Sequence, residues 1–293
     1  MKLEVKEIDL SNFAERYQLS QLLVSNNLFF DLSLEIDESM GLFSDNQLIA
    51  TASINGRVIK GFALKEGFQK INFIAILLGE LLKKLFEKGI KKNFIYTQKK
   101  YRQYFECLGY RFIAKCENSI LLEHGLGNIN DYQEYLKKYV SLDDILVKGS
   151  IVINPKRFDS EQLLIIEKAA FNCDILYIFI IHDNDSLYQF YKKERRIIKK
   201  TNHLKNVIVL DGGDYVTSFS IFPEYFIRNM SEKIKTEATI DVDIFTRYIS
   251  TILGISKRFV ERKPSDEFSC LNNEIIKMQL SKFGIEYIEI EKN

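Results

Sequence analysis

The sequence predicts an α/β protein with two domains, an α+β domain followed by a domain built on a parallel sheet. Its 293 residues exceed what one hydrophobic core usually serves. Over the first third, short strands alternate with helices and tight hairpin turns, whereas from residue 147 onward strand and helix alternate regularly. Regular alternation is typical of a parallel sheet with right-handed crossovers.

The composition and charge of the chain argue against several classes of binding partner. The chain carries 41 basic and 40 acidic residues, so we expect no broad electrostatic binding to nucleic acid or to an anionic membrane. No stretch reaches the roughly 18 uncharged apolar residues that cross a bilayer. The N-terminal segment MKLEVKEIDL lacks the basic-then-apolar layout of a signal peptide. We therefore expect a cytoplasmic protein with no membrane partner.

The cysteines are scattered, with no CxxC pair and no histidine at metal-ligand spacing. We interpret Cys107, Cys116, Cys173 and Cys270 as reduced thiols of the core, and we predict no metal site. The basic clusters at 193–200 lie on one predicted helix. We interpret them as a solvated helix face, with an anion site as the alternative.

The first predicted domain spans residues 1–126. Hydrophobic spacing predicts a helix at 71–88 that ends at Gly89, because glycine readily adopts the left-handed conformation after a helix. Turn residues at Ser44–Asn46 and Asn55–Gly56 predict a hairpin. The remaining elements are strands at 3–9, 58–65, 92–98, 110–115 and 119–124, and helices at 12–28 and 101–109.

A linker helix is predicted within 127–146, capped by Asp131 or Asn130, and the second domain spans 147–293. GSIVIN, at 149–154, is a nearly continuous apolar run that suits a strand buried on both faces. Helices at 159–171, 186–201, 241–253 and 271–283 alternate with further strands at 175–181, 206–212, 258–262 and 286–291.

The stretch VINPKRFDSEQLLIIEKAA, at 152–170, combines a strand, a polar turn and a helix N-terminus. Many α/β proteins hold a phosphate at such a place. This turn, however, has no glycine, histidine or serine–lysine pair. It offers Lys156, Arg157, Asp159, Glu161 and Gln162 instead, so it is either a nucleotide site of unusual composition or a site that has been lost.

Phrases along nearly the whole chain resemble one family, the citrate lyase ligases. The more specific ones are Phe222–Pro223 followed by Tyr225–Phe226, and Ile240–Asp241 followed by Phe245 and Tyr248. Longer similar phrases are GLFSDNQLIATASINGRVIKGFALKEGFQ, YTQKKYRQYFECLGYRFIA, KGSIVIN, EKAAFNCDILYIFII and LNNEIIKMQ.

The resemblance implies an N-terminal GNAT-like α+β domain, of the acetyltransferase type, followed by a Rossmann-like nucleotidylyltransferase domain. It further implies an ATP-dependent ligase that attaches acetate, through acetyl-adenylate, to the thiol of the acyl carrier subunit of citrate lyase.

The family's nucleotide turn resembles NANPFTLGH, and this chain departs from it. The asparagine falls on Asn154 and the phenylalanine on Phe158, whereas threonine, glycine and histidine become Asp159, Glu161 and Gln162. Two carboxylates thus stand where a polyphosphate is expected, and like charges repel strongly at partial burial. Asp159 has an alternative structural role as the N-cap of the next helix, with Gln162 completing an approximate capping box.

Other family elements are also altered. The resemblance places an acidic pair and a serine after strand 175–181, where Asp183, Asn184 and Ser186 stand beside His182, which is a loop residue or a catalytic one. The GxEP phrase becomes Glu261–Arg262–Lys263–Pro264. We expect no serine–arginine phrase like ISASxVR, because the sequence ends at EYIEIEKN. The candidate ATP-pocket residues are therefore Asn154, Lys156, Arg157, Phe158, Asp183, Ser186 and Pro264.

The resemblance also places an acetyl-CoA pyrophosphate turn, Q/RxxGxG/A, at residues 69–74. Gln69 is retained, but Asn72 and Ile74 fill both small positions, and Lys70 either contacts a phosphate or is simply exposed. Acetyl-CoA binding is therefore not expected.

Three functional hypotheses follow. The first is a citrate-lyase-ligase-like pseudoenzyme with a degenerate ATP site, which binds or scaffolds an acyl carrier protein or citrate lyase subunit. The second is an active acid–thiol ligase or nucleotidylyltransferase, in which Lys156 and Arg157 replace the lost cationic groups and Asp159 or Asp183 holds Mg²⁺ beside ATP. The third is a protein that binds another small acid, nucleotide or zwitterion at this turn.

Overall fold

The computed structural model describes residues 3–29, 36–68, 71–143, 145–181, 187–216, 229–262 and 267–291. The chain divides into two compact units, with a boundary between Asn128 and Ile129, and the described residues 229–233 group with the first unit. The first is an α+β unit and the second contains a parallel sheet, so the predicted fold class is confirmed. Among the described residues, no helix is both long enough and apolar enough to span a membrane.

The first unit is a seven-stranded sheet in the order β1-β2-β3-β4-β5-β7-β6. Its strands are β1 (Leu3–Glu7), β2 (Glu38–Ser44), β3 (Gln47–Asn55), β4 (Val58–Leu64), β5 (Lys92–Gln98), β6 (Arg111–Lys115) and β7 (Ser119–Gly125). Its helices are α1 (Phe13–Ser25), α2 (Ile71–Glu87) and α3 (Arg102–Cys107). Neighbouring strands are antiparallel except for β4 and β5, which run parallel.

Helix α2 shows how the sequence specifies this unit. Its apolar residues recur at helical spacing, and Leu77 and Leu81 are fully buried in the core of the first unit. The helix ends at Glu87, and Gly89, two residues later, has φ +75°. The amide of Gly89 donates to Phe86 O and that of Ile90 donates to Leu85 O, each at 2.9 Å, which confirms the predicted glycine C-cap.

The second unit is a five-stranded parallel sheet in the order β10-β9-β8-β11-β12. Its strands are β8 (Lys148–Ile153), β9 (Ile175–Ile180), β10 (Val207–Asp211), β11 (Lys257–Glu261) and β12 (Glu286–Ile290). Its helices are α4 (Ile129–Lys137), α5 (Ser160–Phe171), α6 (Leu187–Thr201), α8 (Thr251–Leu253), α9 (Glu267–Ser281) and α7 (Met230–Ile244), of which this unit contains the part from Ile234. From β8 the chain first adds β9 and β10 on one side, and it then returns to add β11 and β12 on the other side. The strand order reverses between β8 and β11, and this position is the topological switch point of the sheet.

Helix α4 lies in the second unit and is held there by tyrosines. The Tyr132 hydroxyl donates to Asp211 O at 3.1 Å, and the amide of Asp211 donates to the Tyr135 hydroxyl at 3.0 Å. The Tyr132 ring also packs against Tyr215, with centroids 5.1 Å apart. Burial, chiefly, raises the pKa of Tyr132 well above its usual value, so this hydroxyl stays protonated and can donate.

The helix predicted at 241–253 begins earlier than expected. Helix α7 begins at Met230, and Asn229 caps it by accepting hydrogen bonds from Ser231 N at 2.9 Å and Glu232 N at 3.2 Å. The first turns are largely polar and have no apolar stripe, so hydrophobic periodicity alone did not detect them. A π-helical segment, Phe245–Ser250, joins α7 to α8.

The expectation of core thiols is wrong for two of the four cysteines. All four are free, but Cys107 and Cys270 are exposed, whereas Cys116 is buried and Cys173 is half-buried. Both exposed thiols lie on amphipathic helices, where a small apolar residue is tolerated on the outer face.

Alkylation of the native protein by iodoacetamide at pH 8 is expected to modify Cys107 and Cys270 well before Cys173. Burial raises the pKa of the Cys173 thiol to about 11, so only ~10⁻³ of it is the reactive thiolate at that pH. Peptide mass spectrometry over time measures the rates, and labelling of Cys173 should accelerate as the pH rises toward 11. Equal rates for Cys173 and Cys270 at pH 8 would contradict this prediction.

Candidate functional site

The candidate site lies where β8 and β11 separate. The two strands pair with each other from Lys257↔Gly149 to Phe259↔Ile151, but β8 continues to Ile153 beside β9, and β11 continues to Glu261 beside β12. Strands that diverge at their carboxyl ends open a crevice at the switch point of a doubly wound sheet. The turn that follows β8 lines this crevice.

Asn154 organises the turn internally. Its side-chain oxygen accepts from Lys156 N and its carbonyl accepts from Arg157 N, both at 3.0 Å. An Asx turn superimposed on a β-turn is a stable local arrangement. Two backbone N–H groups that would otherwise be available to a phosphate are therefore bonded within the turn.

Asp159 is the N-cap of α5, as one of the two interpretations predicted. Its carboxylate accepts a hydrogen bond from Gln162 N at 2.9 Å, and its carbonyl accepts from Leu163 N at 3.2 Å. Glu161 also lies in the first turn of the helix. Acidic groups at this position interact favourably with the partial positive charge of the helix N-terminus. The chain thus supplies its own anion where a bound phosphate would gain the same stabilisation.

The other half of the predicted capping box is not seen. Gln162 Oε1 is buried and, among the described residues, has no hydrogen-bond partner. A buried acceptor without a donor costs about 1–3 kcal/mol. The Gln162 side chain therefore does not contribute to capping the helix, and it brings no positive charge to the crevice.

The predicted pocket residues separate into different environments. Lys156 and Arg157 are exposed, whereas Phe158 is buried in the core of the second unit with the Arg196 guanidinium 5.8 Å from its ring centroid. Phe158 thus anchors the turn by packing. Asp183, Ser186 and Pro264, together with His182, lie outside the described residues.

The turn is hydrogen-bonded internally and carries two carboxylates at the start of α5. Four amides of the segment are already bonded to Asn154 or Asp159, and two exposed carboxylates stand at the helix N-terminus. At an effective dielectric constant near 20, two like charges about 4 Å apart repel by about 4 kcal/mol. Among the described residues, no cluster of histidine, cysteine, aspartate or glutamate is placed to hold a metal ion.

Comparison with known proteins identifies the family. The model of the citrate lyase ligase C-terminal domain matches residues 148–293, the stretch that contains the crevice. Citrate (pro-3S)-lyase ligase from Escherichia coli (strain K12) is 28% identical over 281 residues, covering 94% of this chain and 79% of the relative. The Klebsiella pneumoniae enzyme of the same name is 26% identical over 272 residues, covering 89% and 79%.

The chain is a divergent member of the citrate lyase ligase family. The crystal structure of Escherichia coli ElaA is similar to 42% of this chain and 99% of its own length, with 14% sequence identity and a TM-score of 0.36.

In this family member, the turn predicted to meet acetyl-CoA is only partly described. Gln69 and Lys70 lie outside the described residues, and Asn72 is exposed in the first turn of α2. That this turn does not bind acetyl-CoA therefore stays a prediction.

A cavity in the first unit was missed by the sequence analysis. Strands β4 and β5 pair only at Val58↔Phe94 and Ile59↔Ile95, and β4 then carries an irregularity at Gly61, which has φ +69°. Beyond it the strands diverge around a cavity of about 180 Å³. Its lining includes Phe62, Leu64, Ile74, Gln98, Tyr104 and Phe105. An isolated glycine inside a strand is the sequence feature that could have indicated this divergence.

The family phrase around Asp241 has a structural role in the second unit. Arg258 Nη2 donates to Asp241 Oδ2 at 2.8 Å, and the guanidinium lies 4.7 Å from the Phe245 ring centroid. Arg258 is buried, with 7% of its surface exposed, and it lies opposite Tyr287 of the neighbouring strand β12. Burial, chiefly, raises the pKa of the Tyr287 hydroxyl. The ion pair therefore ties α7 to β11.

Proposed function

We propose that this protein is a citrate-lyase-ligase-like pseudoenzyme that binds citrate lyase, through its acyl carrier subunit, and has weak or no ATP-dependent ligase activity. The relatives are named as ligases of citrate lyase, which makes that enzyme the natural partner for this chain. We expect the protein to act in the cytoplasm as a binding or scaffolding component.

One observation carries the proposal. The Asp159 carboxylate accepts from Gln162 N at 2.9 Å at the N-terminus of α5, the position at which the family pattern places the threonine of its nucleotide turn. A carboxylate bonded there competes directly with a phosphate oxygen for the same donor. Losing one preorganised transition-state donor typically lowers a rate by about 10²–10³.

Calorimetric titration of the full chain with MgATP tests this proposal. We expect no binding with a Kd below about 1 mM, which corresponds to about −4 kcal/mol. The Escherichia coli ligase serves as the positive control. In parallel, pyrophosphate release is measured with acetate and deacetylated citrate lyase, and we expect a rate at least ~10²-fold below that of the control. Sub-millimolar binding together with turnover would overturn the proposal.

A second candidate function is an active ligase with a rearranged site, and the exposure of Lys156 and Arg157 beside the crevice favours it. The same assay distinguishes the two. If pyrophosphate release occurs and the K156A/R157A variant abolishes it, these cations replace the lost phosphate-binding groups and the active ligase is the correct function.

A further inference from the structure

Helix α6 presents an exposed face whose cations have no carboxylate partner among the residues that the structure describes. Phe190, Ile197 and Thr201 are buried and face the core of the second unit. The opposite side of the helix, here called the basic face, consists of Tyr188, Tyr191, Lys192, Arg195, Ile198 and Lys199. Tyr188 is 77% exposed and Tyr191 52%, which is unusual for tyrosines on a monomeric surface.

Helix α6 carries six basic residues and one acidic residue, Glu194, which is half-buried beside the exposed face. Lys192, Arg195, Arg196, Lys199 and Lys200 are all exposed, and in the part of the chain that the structure describes no carboxylate pairs with any of them. Other helices differ: Lys84 on α2 contacts Glu7 at 2.6 Å, and Lys137 on α4 contacts Glu134 at 2.6 Å. This helix therefore retains a local positive charge in a chain whose net charge is only +1.

This arrangement costs helix stability. The cations of α6 repeat at i,i+4 spacing, from Lys192 to Arg196 and from Arg195 to Lys199. Like charges at that spacing destabilise a helix, and the single acidic residue of α6, Glu194, is not three or four residues from any of these cations. A partner that brings acidic groups to the face removes that repulsion on binding.

The basic face adjoins the crevice of the second unit. Helix α6 follows β9, which ends at the same sheet edge as β8, and Arg196 lies over the ring of Phe158 in the turn after β8. A protein docked on α6 would bring its own surface next to that edge.

We infer that the basic face of α6 docks an acidic protein surface, which is that of the acyl carrier subunit of citrate lyase. This inference rests on the proposed function, because that function makes citrate lyase the partner. Exposed tyrosines beside cations match the composition of protein interfaces. Extended polyanions such as duplex nucleic acid and anionic membranes fit less well, because the positive charge is confined to one helix of a nearly neutral chain.

Charge reversal of the face tests the inference. The K192E/R195E/K199E variant is compared with the wild type for binding to purified Escherichia coli citrate lyase by surface plasmon resonance. We expect about 30- to 100-fold weaker binding at low salt, and a smaller dependence of the affinity on salt. The control K83E/K91E/K277E changes the net charge equally at exposed positions outside α6, and we expect it to bind within about threefold of the wild type.

The outcomes of this binding experiment separate the docking face from the proposed partner. If both variants lose affinity equally, or if neither does, α6 is not the docking face, although the proposed partner stands. If wild-type protein does not bind citrate lyase at all, the proposed function fails as well. Binding of phosphatidylserine vesicles or duplex DNA that depends on α6, without binding of citrate lyase, also overturns the inference. If circular dichroism shows the reversed variant to be unfolded, K192Q/R195Q/K199Q takes its place, with an expected loss of about tenfold.

Discussion

Replacing Asp241 by alanine is expected to lower the free energy of unfolding by about 3–5 kcal/mol, because it leaves a buried arginine without its counter-ion. Arg258 donates to Asp241 at 2.8 Å and its side chain is only 9% exposed. Another of its nitrogens, Nη1, is already buried without a partner among the described residues. The variant therefore faces the full cost of a desolvated charge. Urea denaturation followed by circular dichroism measures the change.

The neighbouring pair on the same helix supplies the control. Asp243 contacts Arg247 at 2.8 Å, but that arginine is 40% exposed, so D243A is expected to cost less than about 1 kcal/mol. The double variant D241L/R258M should recover most of the loss, because well-packed apolar side chains often replace a buried ion pair without penalty. Equal costs for D241A and D243A would show that the burial of Arg258 does not matter.

Rebuilding the nucleotide turn is expected to raise the affinity for MgATP at least ~100-fold. The D159T/E161G/Q162H variant removes two carboxylates, and each lies where it would repel a phosphate by about 2–4 kcal/mol at separations of about 4–8 Å. Threonine still caps α5, and glycine allows close approach of the backbone. Calorimetric titration measures the Kd of the variant and of the wild type under the same conditions.

The matched control places a glycine in the same helix away from the turn. E167G removes one carboxylate of α5 and incurs about the same helix penalty, roughly 1 kcal/mol, without changing the crevice. We expect its affinity for MgATP to equal that of the wild type. If the rebuilt turn is folded but binds no better than E167G, then the carboxylates are not what excludes the nucleotide, and the proposed function loses its physical basis.

Local features of the fold were predictable from the sequence, as Gly89 and Asp159 show. A glycine after an apolar periodic run and an aspartate before one act through bonds within a few residues, so their roles depend little on the rest of the chain. The early start of α7 at Met230 was not predictable, because its polar first turns have no apolar periodicity to detect. The exposure of Cys107 and Cys270 was also missed, since the direction of a helix face depends on packing.

The candidate site was only partly accessible to sequence analysis. The sequence showed that residues of the family's nucleotide turn are substituted here, and it predicted the capping role of Asp159. The cavity between β4 and β5 was not visible, because it results from two strands that pair at only two positions before they diverge. The basic residues of α6 were interpreted as a solvated helix surface, because the sequence does not show which carboxylates lie near them in the fold.

By itself the sequence determined the two-domain α/β architecture, the caps of individual helices and the family resemblance, because these depend on short-range patterns of polarity and residue type. Only the tertiary structure decided that Arg258 pairs with Asp241, that Phe158 is buried beside Arg196, and that Lys192, Arg195 and Lys199 are exposed together on one face of α6. These contacts join residues from separate elements, and the folding of the chain sets their distances and burial.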